Sequence, residues 1–212
     1  VSSRKLDELK KLEKESKNKV YTILQLRHHK AIKTLKNKIQ KLPSESKTEI
    51  ELTYITMRGK WYDKSWKSDP KKGFGLVTNI GIHFFDMLHY LFGDLKESYI
   101  HLNKSKKASG YLKFAKSNVK WFLSIDGNDL TKVLKYPKRT FREIKINGEL
   151  FNFSDGFDDL HTESYINILN GNGFGIEDTR RCIETVEKIR KSKPDLKNNK
   201  NFHPFFEFKN DF

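Results

Sequence analysis

Gly75-Leu-Val-Thr-Asn79-Ile-Gly81-Ile-His83-Phe-Phe-Asp86-Met-Leu-His89-Tyr90 is an apolar segment carrying one polar stripe. Residues three and four apart share a helix face. Asn79, His83, Asp86 and Tyr90 therefore fall along one line, while Ile80, Phe84, Met87, Leu88 and Leu91 cover most of the rest. The spacing predicts a helix from Val77 to Phe92, closed by Gly93. A polar stripe on such a helix must find hydrogen-bond partners or face a cleft. In one reading His83 and Asp86 are satisfied inside a packed core. In the other they face a substrate, and His83 is a proton acceptor suited to neutral pH. Gly81 admits the close approach of a backbone or a ligand. His83-x-x-Asp86-x-x-His89 also has metal-ligand residue types, but His89 lies off the line of the other two, and no metal is expected.

Outward from this helix, the C-terminal side reads as strands. Glu97 to Asn103, Gly110 to Phe114 and Val119 to Asp126 are strand-like, with a turn at Asp126-Gly127; Lys138 to Ile146 follows, ending at Asn147-Gly148. Two helices come next, Leu160 to Leu169 and Glu177 to Lys191. On the N-terminal side, Arg58 to Phe74 is a long loop, and Thr48 to Met57 alternates as a half-buried strand. Ala31 to Leu42 is a helix stopped by Pro43. Val20 to Leu26 is a nearly continuous apolar, β-branched run suited to a buried parallel strand. Ser3 to Ser16 is an amphipathic helix with Leu6, Leu9 and Leu12 on one side. Strands flanked by helices predict an α+β fold with a mostly antiparallel open sheet. The opening helix–strand pair looks like the end of an α/β unit. Gly171-x-Gly173-x-Gly175 follows a helix and lacks dinucleotide-loop spacing, so it reads as a cap and a turn. Cys182 sits beside Ile183 and Val186 and reads as core.

Composition narrows the classes. The 212 residues include 36% hydrophobic and 13% aromatic, enough for a packed core. No apolar run reaches the length of a membrane span, and the N-terminal residues do not resemble a secretory signal. A single cysteine suits a reducing, cytoplasmic compartment. The net charge is +15, yet lysines occur in nearly every segment. That pattern suits solvated faces better than the focused stripe of a nucleic-acid binder, so neither nucleic acid nor membrane is expected as a partner.

The pattern Gly75-x-x-x-Asn79-x-Gly81-x-His83-x-x-Asp86 resembles the substrate-domain signature of the Gfo/Idh/MocA oxidoreductases, and the order of elements is similar over nearly the whole chain. Thr56 to Asp69, Gln25-Leu-Arg27-His28-His29 and Asn170 to Asp178 resemble, more narrowly, the UDP-N-acetylglucosaminuronate 3-dehydrogenases of WlbA/WbpB type. The resemblance implies NAD as cofactor and a UDP-linked uronic acid sugar as substrate, in the synthesis of bacterial surface polysaccharide such as lipopolysaccharide O-antigen. It implies a homo-oligomer formed through the open sheet. Residues 1–27 would be the end of a Rossmann-type domain, 28–192 the substrate domain, and 193–212 a Lys- and Asn-rich tail with aromatics at Phe202, Phe205, Phe206 and Phe208.

His83 matches the family's catalytic histidine, which works with a lysine from a Glu-Lys-Pro motif expected upstream of Val1. Turnover by the chain alone is therefore not expected. Asn79 stands where the broader family often has Asp, and Lys30 where it usually has Pro. An amide would bind the sugar without repelling a uronate carboxylate. Asp86 would contribute to the same site. Gln25, Leu26 and Arg27, after the last Rossmann strand, would border the nicotinamide. Arg58, Lys60 and Lys67 suit a diphosphate and a carboxylate, and Tyr62 and Trp66 suit a sugar or uracil face. The bland alternative for this loop is a surface connection with its aromatics tucked beneath it. A different function stays open beside the enzyme: a non-catalytic sugar-nucleotide-binding or assembly domain of the same fold.

Overall fold

Ile50, Leu52 and Tyr54 alternate with Glu49, Glu51 and Thr53, and in the computed structural model this run is strand β1 (Thr48–Thr56). The structure describes residues 2–43, 45–67, 69, 72–133, 139–153, 155–197 and 199–206. Five further strands complete one sheet: β2 (Leu95–Asn103), β3 (Lys107–Phe114), β4 (Ser117–Ser124), β5 (Thr140–Ile146) and β6 (Glu149–Phe151). Their order is β2-β3-β4-β1-β5-β6. β1 pairs with β4 in parallel and with β5 antiparallel, and the other pairings are antiparallel. The sheet is therefore mixed rather than purely antiparallel. Asn147 and Gly148 both take positive φ, 51° and 84°, as a two-residue hairpin turn requires. That turn adds β6, which the sequence reading omitted. Lys138, the expected first residue of the fourth strand run, lies outside the described residues.

The helices are α1 (Ser3–Ser16), α2 (Lys30–Gln40), α3 (Lys60–Lys64), α4 (Ile82–Phe92), α5 (Gly127–Val133), α6 (Leu160–Leu169) and α7 (Ile176–Lys191). Periodicity located α1, α2, α4, α6 and α7. Two short ones, α3 and α5, replace an expected loop and an expected turn. At five and seven residues, neither has a stripe long enough to be read.

One face of the sheet meets α2 and α4. Ile50 and Leu52 from β1, Leu112 from β3, Trp121 and Leu123 from β4, and Ile144 from β5 pack with Phe84, Phe85, Met87 and Leu88 of α4 and Ile32 and Leu35 of α2. Phe85 meets Trp121 edge-on at 5.2 Å between centroids. Residues Val77–Gly81, just before α4, form a π-helical turn. A Cβ on Gly81 would fall 2.7 Å from Phe85 and 3.1 Å from Leu123. Gly81 thus serves the approach of this turn to the sheet, not the approach of a ligand.

Val20–Leu26 differs from expectation. Residues 20–24 carry no strand assignment, and Gln25–His28 form a 3-10 turn. A strand needs a ladder, and among the described residues none lies beside this run; Thr22 donates its N–H to the Phe174 carbonyl instead. Leu6 of α1 and Leu24 pack with Ile176, Cys182 and Ile183 of α7, whereas Leu9 and Leu12 stay exposed. Among the described residues no helix is long and apolar enough to cross a membrane.

The tail lies across the second face of the sheet. Phe202 packs edge-on against His101 of β2 at 4.6 Å, and His203 stacks on Phe122 of β4 at 5.7 Å. His203 also bonds Thr53 Oγ1 at 3.1 Å. This explains why Thr53, on the polar side of β1, is only 2% exposed. Phe208 lies outside the described residues.

Candidate functional site

The polar stripe of the central helix divides in two. The 3-10 turn Gln25–His28 packs against α4 and places Arg27 over the stripe's second half. Arg27 Nε and Nη2 donate to the two Asp86 oxygens at 2.8 and 2.5 Å, and Nη2 also donates to the Asp178 carbonyl at 2.6 Å. Its guanidinium lies 4.5 Å from the Phe174 ring centroid and 5.7 Å from that of Tyr90. Both charges are buried. Burial pushes the Asp86 carboxyl up, and the guanidinium beside it pulls the other way. Arg27 and Asp86 are thus a structural latch joining the 3-10 turn, α4 and the start of α7. Neither lines the cavity that holds His83.

That cavity, about 230 Å³, gathers Gln25 and Leu26 from the 3-10 turn, Asn79 and His83 from the central helix, Arg58 after β1, and Arg142 from β5. Tyr54, Ile80, Phe84 and Phe157 form its walls, and among the described residues no Asp or Glu lines it. His83 Nδ1 is buried without a hydrogen-bond partner among the described residues, and so is Gln25 Oε1. No bond involving His83 Nε2 occurs among the described residues either, so no neighbour fixes the tautomer. Burial, aided by the charge of His161, holds the His83 imidazole below its ordinary value of 6.5. The ring is therefore neutral near pH 7 and able to accept a proton. His89 differs: its ring nitrogens meet the Gly93 carbonyl at 2.8 Å and Thr185 Oγ1 at 2.7 Å, as a satisfied core histidine does.

Asn79 has a role the sequence did not show. Its Nδ2 donates to the carbonyls of Lys67 at 3.0 Å, Gly73 at 2.7 Å and Gly75 at 3.0 Å. Three backbone acceptors around one atom identify it as the NH2 end of the amide. The amide nitrogen ties the backbone at Lys67, Gly73 and Gly75 to the central helix, leaving Oδ1 without a partner among the described residues. Aspartate there would set a carboxylate against three carbonyl oxygens. This gives a local reason for Asn at 79, independent of the substrate's charge. Asn79→Asp is expected to cost about 1–3 kcal/mol, the range for hydrogen-bond partners left unsatisfied, read as a lower midpoint in urea unfolding. Unchanged stability would show that the loop does not depend on this amide.

The other expected residues separate. Tyr62 is core, 4% exposed, because α3 turns it inward; the Arg58 guanidinium lies 5.9 Å from its ring centroid. Trp66 is 60% exposed and Lys67 is exposed, and neither lines the cavity. The side chain of Lys60 lies outside the described residues. Arg142 was missed, although its parity was legible: on β5 it shares a face with Ile144 and Ile146, where a charge is out of place. A larger cleft of about 910 Å³ lies on the far side of Arg27. Its rim sets Lys36, Arg180 and Arg181 against Asp94, Glu177 and Glu184. Such a balanced rim selects no ligand charge, and the smaller cavity, with its unpartnered polar atoms, carries the chemistry.

Residues 46–149 match the family described as oxidoreductase family, C-terminal alpha/beta domain (Gfo/Idh/MocA). The WlbA (WbpB) dehydrogenase from Thermus thermophilus, solved with NAD and UDP-GlcNAcA, is 40% identical with a TM-score of 0.89, over 96% of this chain and 66% of that one. The same enzyme with NAD and α-ketoglutarate gives 0.88, over 97% and 66%. WlbA from Bordetella pertussis, with NADH and UDP-GlcNAcA, is 14% identical with a TM-score of 0.67, over 88% and 64%; at that identity the likeness shows the shared fold. The chain spans 66% of the length of the Thermus relative, corresponding to its C-terminal part.

Proposed function

The chain belongs to the Gfo/Idh/MocA oxidoreductase family, and from that premise we propose that it is the substrate-binding portion of an NAD-dependent oxidoreductase that oxidises the C3 hydroxyl of a UDP-N-acetyl-hexosaminuronate. The observation that carries this reading is the state of His83: held neutral by burial, and, among the described residues, with no hydrogen-bond partner and on a cavity that no carboxylate lines. The relative at 40% identity binds UDP-GlcNAcA and α-ketoglutarate, both of which bear carboxylates.

In this reading His83 takes the C3 hydroxyl proton, together with a lysine supplied from outside these residues. Gln25 and the Asn79 Oδ1 orient the sugar hydroxyls, and Phe84 and Phe157 exclude water. When bound, NAD supplies the hydride acceptor. This chain fits only the nicotinamide end of that cofactor, through Gln25 and Leu26, because no Gly-rich phosphate loop follows a strand here. Arg27 is committed to Asp86 and is withdrawn from that set. Residues 1–27 group with the nucleotide-binding layer, 28–192 with the substrate domain, and 193–212 form the tail. The exposed Leu9 and Leu12 and the unladdered run 20–24 support the first boundary. Homo-oligomerisation through the outer sheet face is restricted to the part that residues 202–206 leave uncovered.

Calorimetric titration with UDP-GlcNAcA tests the binding role; absence of heat would sink it. In an enzyme completed with a nucleotide-binding domain, His83→Ala should lower the rate roughly 10²–10⁴-fold, the usual contribution of a general base, with nucleotide-sugar affinity nearly kept. The acid limb of the wild-type profile should lie below pH 6.5, because the depressed His83 value keeps the base unprotonated further into acid. Turnover unaffected by His83→Ala would favour an assembly role for this domain.

A further inference from the structure

Arg142 reaches the cavity from β5 with its guanidinium 3.8 Å from the Phe157 ring centroid and 5.6 Å from that of Tyr54. It is half-buried, and among the described residues no carboxylate or carbonyl accepts from it. Arg27, which is buried, shows the ordinary solution, a two-pronged bond to Asp86. A half-buried guanidinium with no anion beside it gains a charge-assisted bond from a ligand that supplies one. The aromatic faces take up the plane of the guanidinium and leave its N–H edge free. Arg58, on the exposed side of the same cavity, has no carboxylate partner among the described residues either. Two guanidinium groups and, among the described residues, no acid on one cavity make an anion site.

We propose that Arg142 is a specificity-determining residue that binds a carboxylate on the reacting sugar. The inference rests on the sugar-nucleotide reading and deepens it by naming the group that selects the substrate. Size separates a carboxylate from a phosphate. The cavity is about 230 Å³, below the roughly 300–1,000 Å³ of pockets that take drug-sized ligands. It holds one sugar ring, so a diphosphate falls outside it, on the Arg58 side. A planar fork of two N–H groups matches the two oxygens of a carboxylate. Pinning that group fixes the ring's rotation, and with it which hydroxyl meets His83. The second fixed point is the Asn79 Oδ1.

The test is calorimetry on the whole chain, wild type, Arg142→Gln and Arg142→Lys, with UDP-GlcNAcA and UDP-GlcNAc. The two ligands share the diphosphate and differ in the carboxylate. Wild type should prefer the uronate by about tenfold or more, and Arg142→Gln should lose about 10–100-fold for the uronate alone, the worth of a charge-assisted bond. Arg142→Lys should recover part of that loss, since it keeps the charge without the fork. Equal losses for both ligands would place Arg142 on the diphosphate and overturn the proposal. So would a wild type with no preference, which settles the matter even if the variants fail to fold. A third arm isolates the premise: if neither UDP compound binds, wild type is titrated with glucuronate and glucose by NMR. Preference for glucuronate would keep the anion site while the sugar-nucleotide reading falls, and no preference would end both.

Discussion

Asp86→Ala is expected to destabilise the fold by about 3–5 kcal/mol, the cost of breaking one side of a buried ion pair. Asp86 is 1% exposed and Arg27 is 7% exposed, so the arginine cannot turn to water once its partner is gone. The Asp178 carbonyl, at 2.6 Å, would remain as its one strong acceptor among the described residues. For a chain of this size, each kcal/mol shifts the melting temperature by roughly 2–4 °C, so a fall of about 6–20 °C follows. Arg27→Met should be milder in acid. Burial already pushes the Asp86 carboxyl upward, and without the guanidinium it rises further. A carboxyl raised in the folded state gives stability below its unfolded value near 3.8 and loses it as pH rises through the folded value. The Arg27→Met defect should therefore grow as pH rises above 3.8. The pair Arg27→Met with Asp86→Leu should recover much of the loss, since replacing both ions with apolar groups is often nearly neutral. An Asp86→Ala variant that melts with wild type would show that the latch holds nothing together.

This latch also marks where reading the sequence stops. Arg27 and Asp86 are 59 positions apart, and no periodicity links them. The stripe from Asn79 to Tyr90 was legible because a helix repeats locally. Its division was not, because an arginine from another segment makes it. α6 runs from Leu160 to Leu169, as its pattern predicted, and Asn147-Gly148 makes the hairpin its residue types require. Val20 to Leu26 has the residue types of a strand, but a strand also needs a neighbour, which composition cannot supply. The parallel pairing of β1 with β4 is likewise a fact about partners. At the site, His83 was legible from residue type and stripe. The three backbone bonds of the Asn79 amide depend on carbonyls at Lys67, Gly73 and Gly75 that no motif brings together. Arg142 was within reach through strand parity alone.

Acid should detach the tail before it unfolds the core. His203 is 2% exposed, and burial, with Lys120 and Lys145 adding to it, holds its pKa down to about 3. His101 is 1% exposed, and burial holds it down to about 4, while Asp195 acts weakly in the other direction. The Phe205 N–H donates to His203 Nδ1 at 3.1 Å, so Nε2 carries the proton and donates to Thr53 Oγ1 at 3.1 Å. Protonating Nδ1 would remove an acceptor and bury a charge against Phe122 and Phe205. Both folded values lie below the ordinary 6.5, so the detached tail binds protons more readily than the docked one. Stability from docking is then complete above pH 6.5 and declines as pH falls toward about 4 and about 3. The limiting slope is about 1.4 kcal/mol per pH unit for each histidine. Hydrogen exchange at pH 7 and pH 4.5 should show protection lost first at residues 202–206, with β4 kept until lower pH. His203→Leu should flatten that dependence while keeping the tail docked, since an apolar side chain of similar reach pays no proton linkage. Uniform loss of protection across tail and core at one pH would mean that the tail is an integral layer of the sheet rather than a strap laid over it.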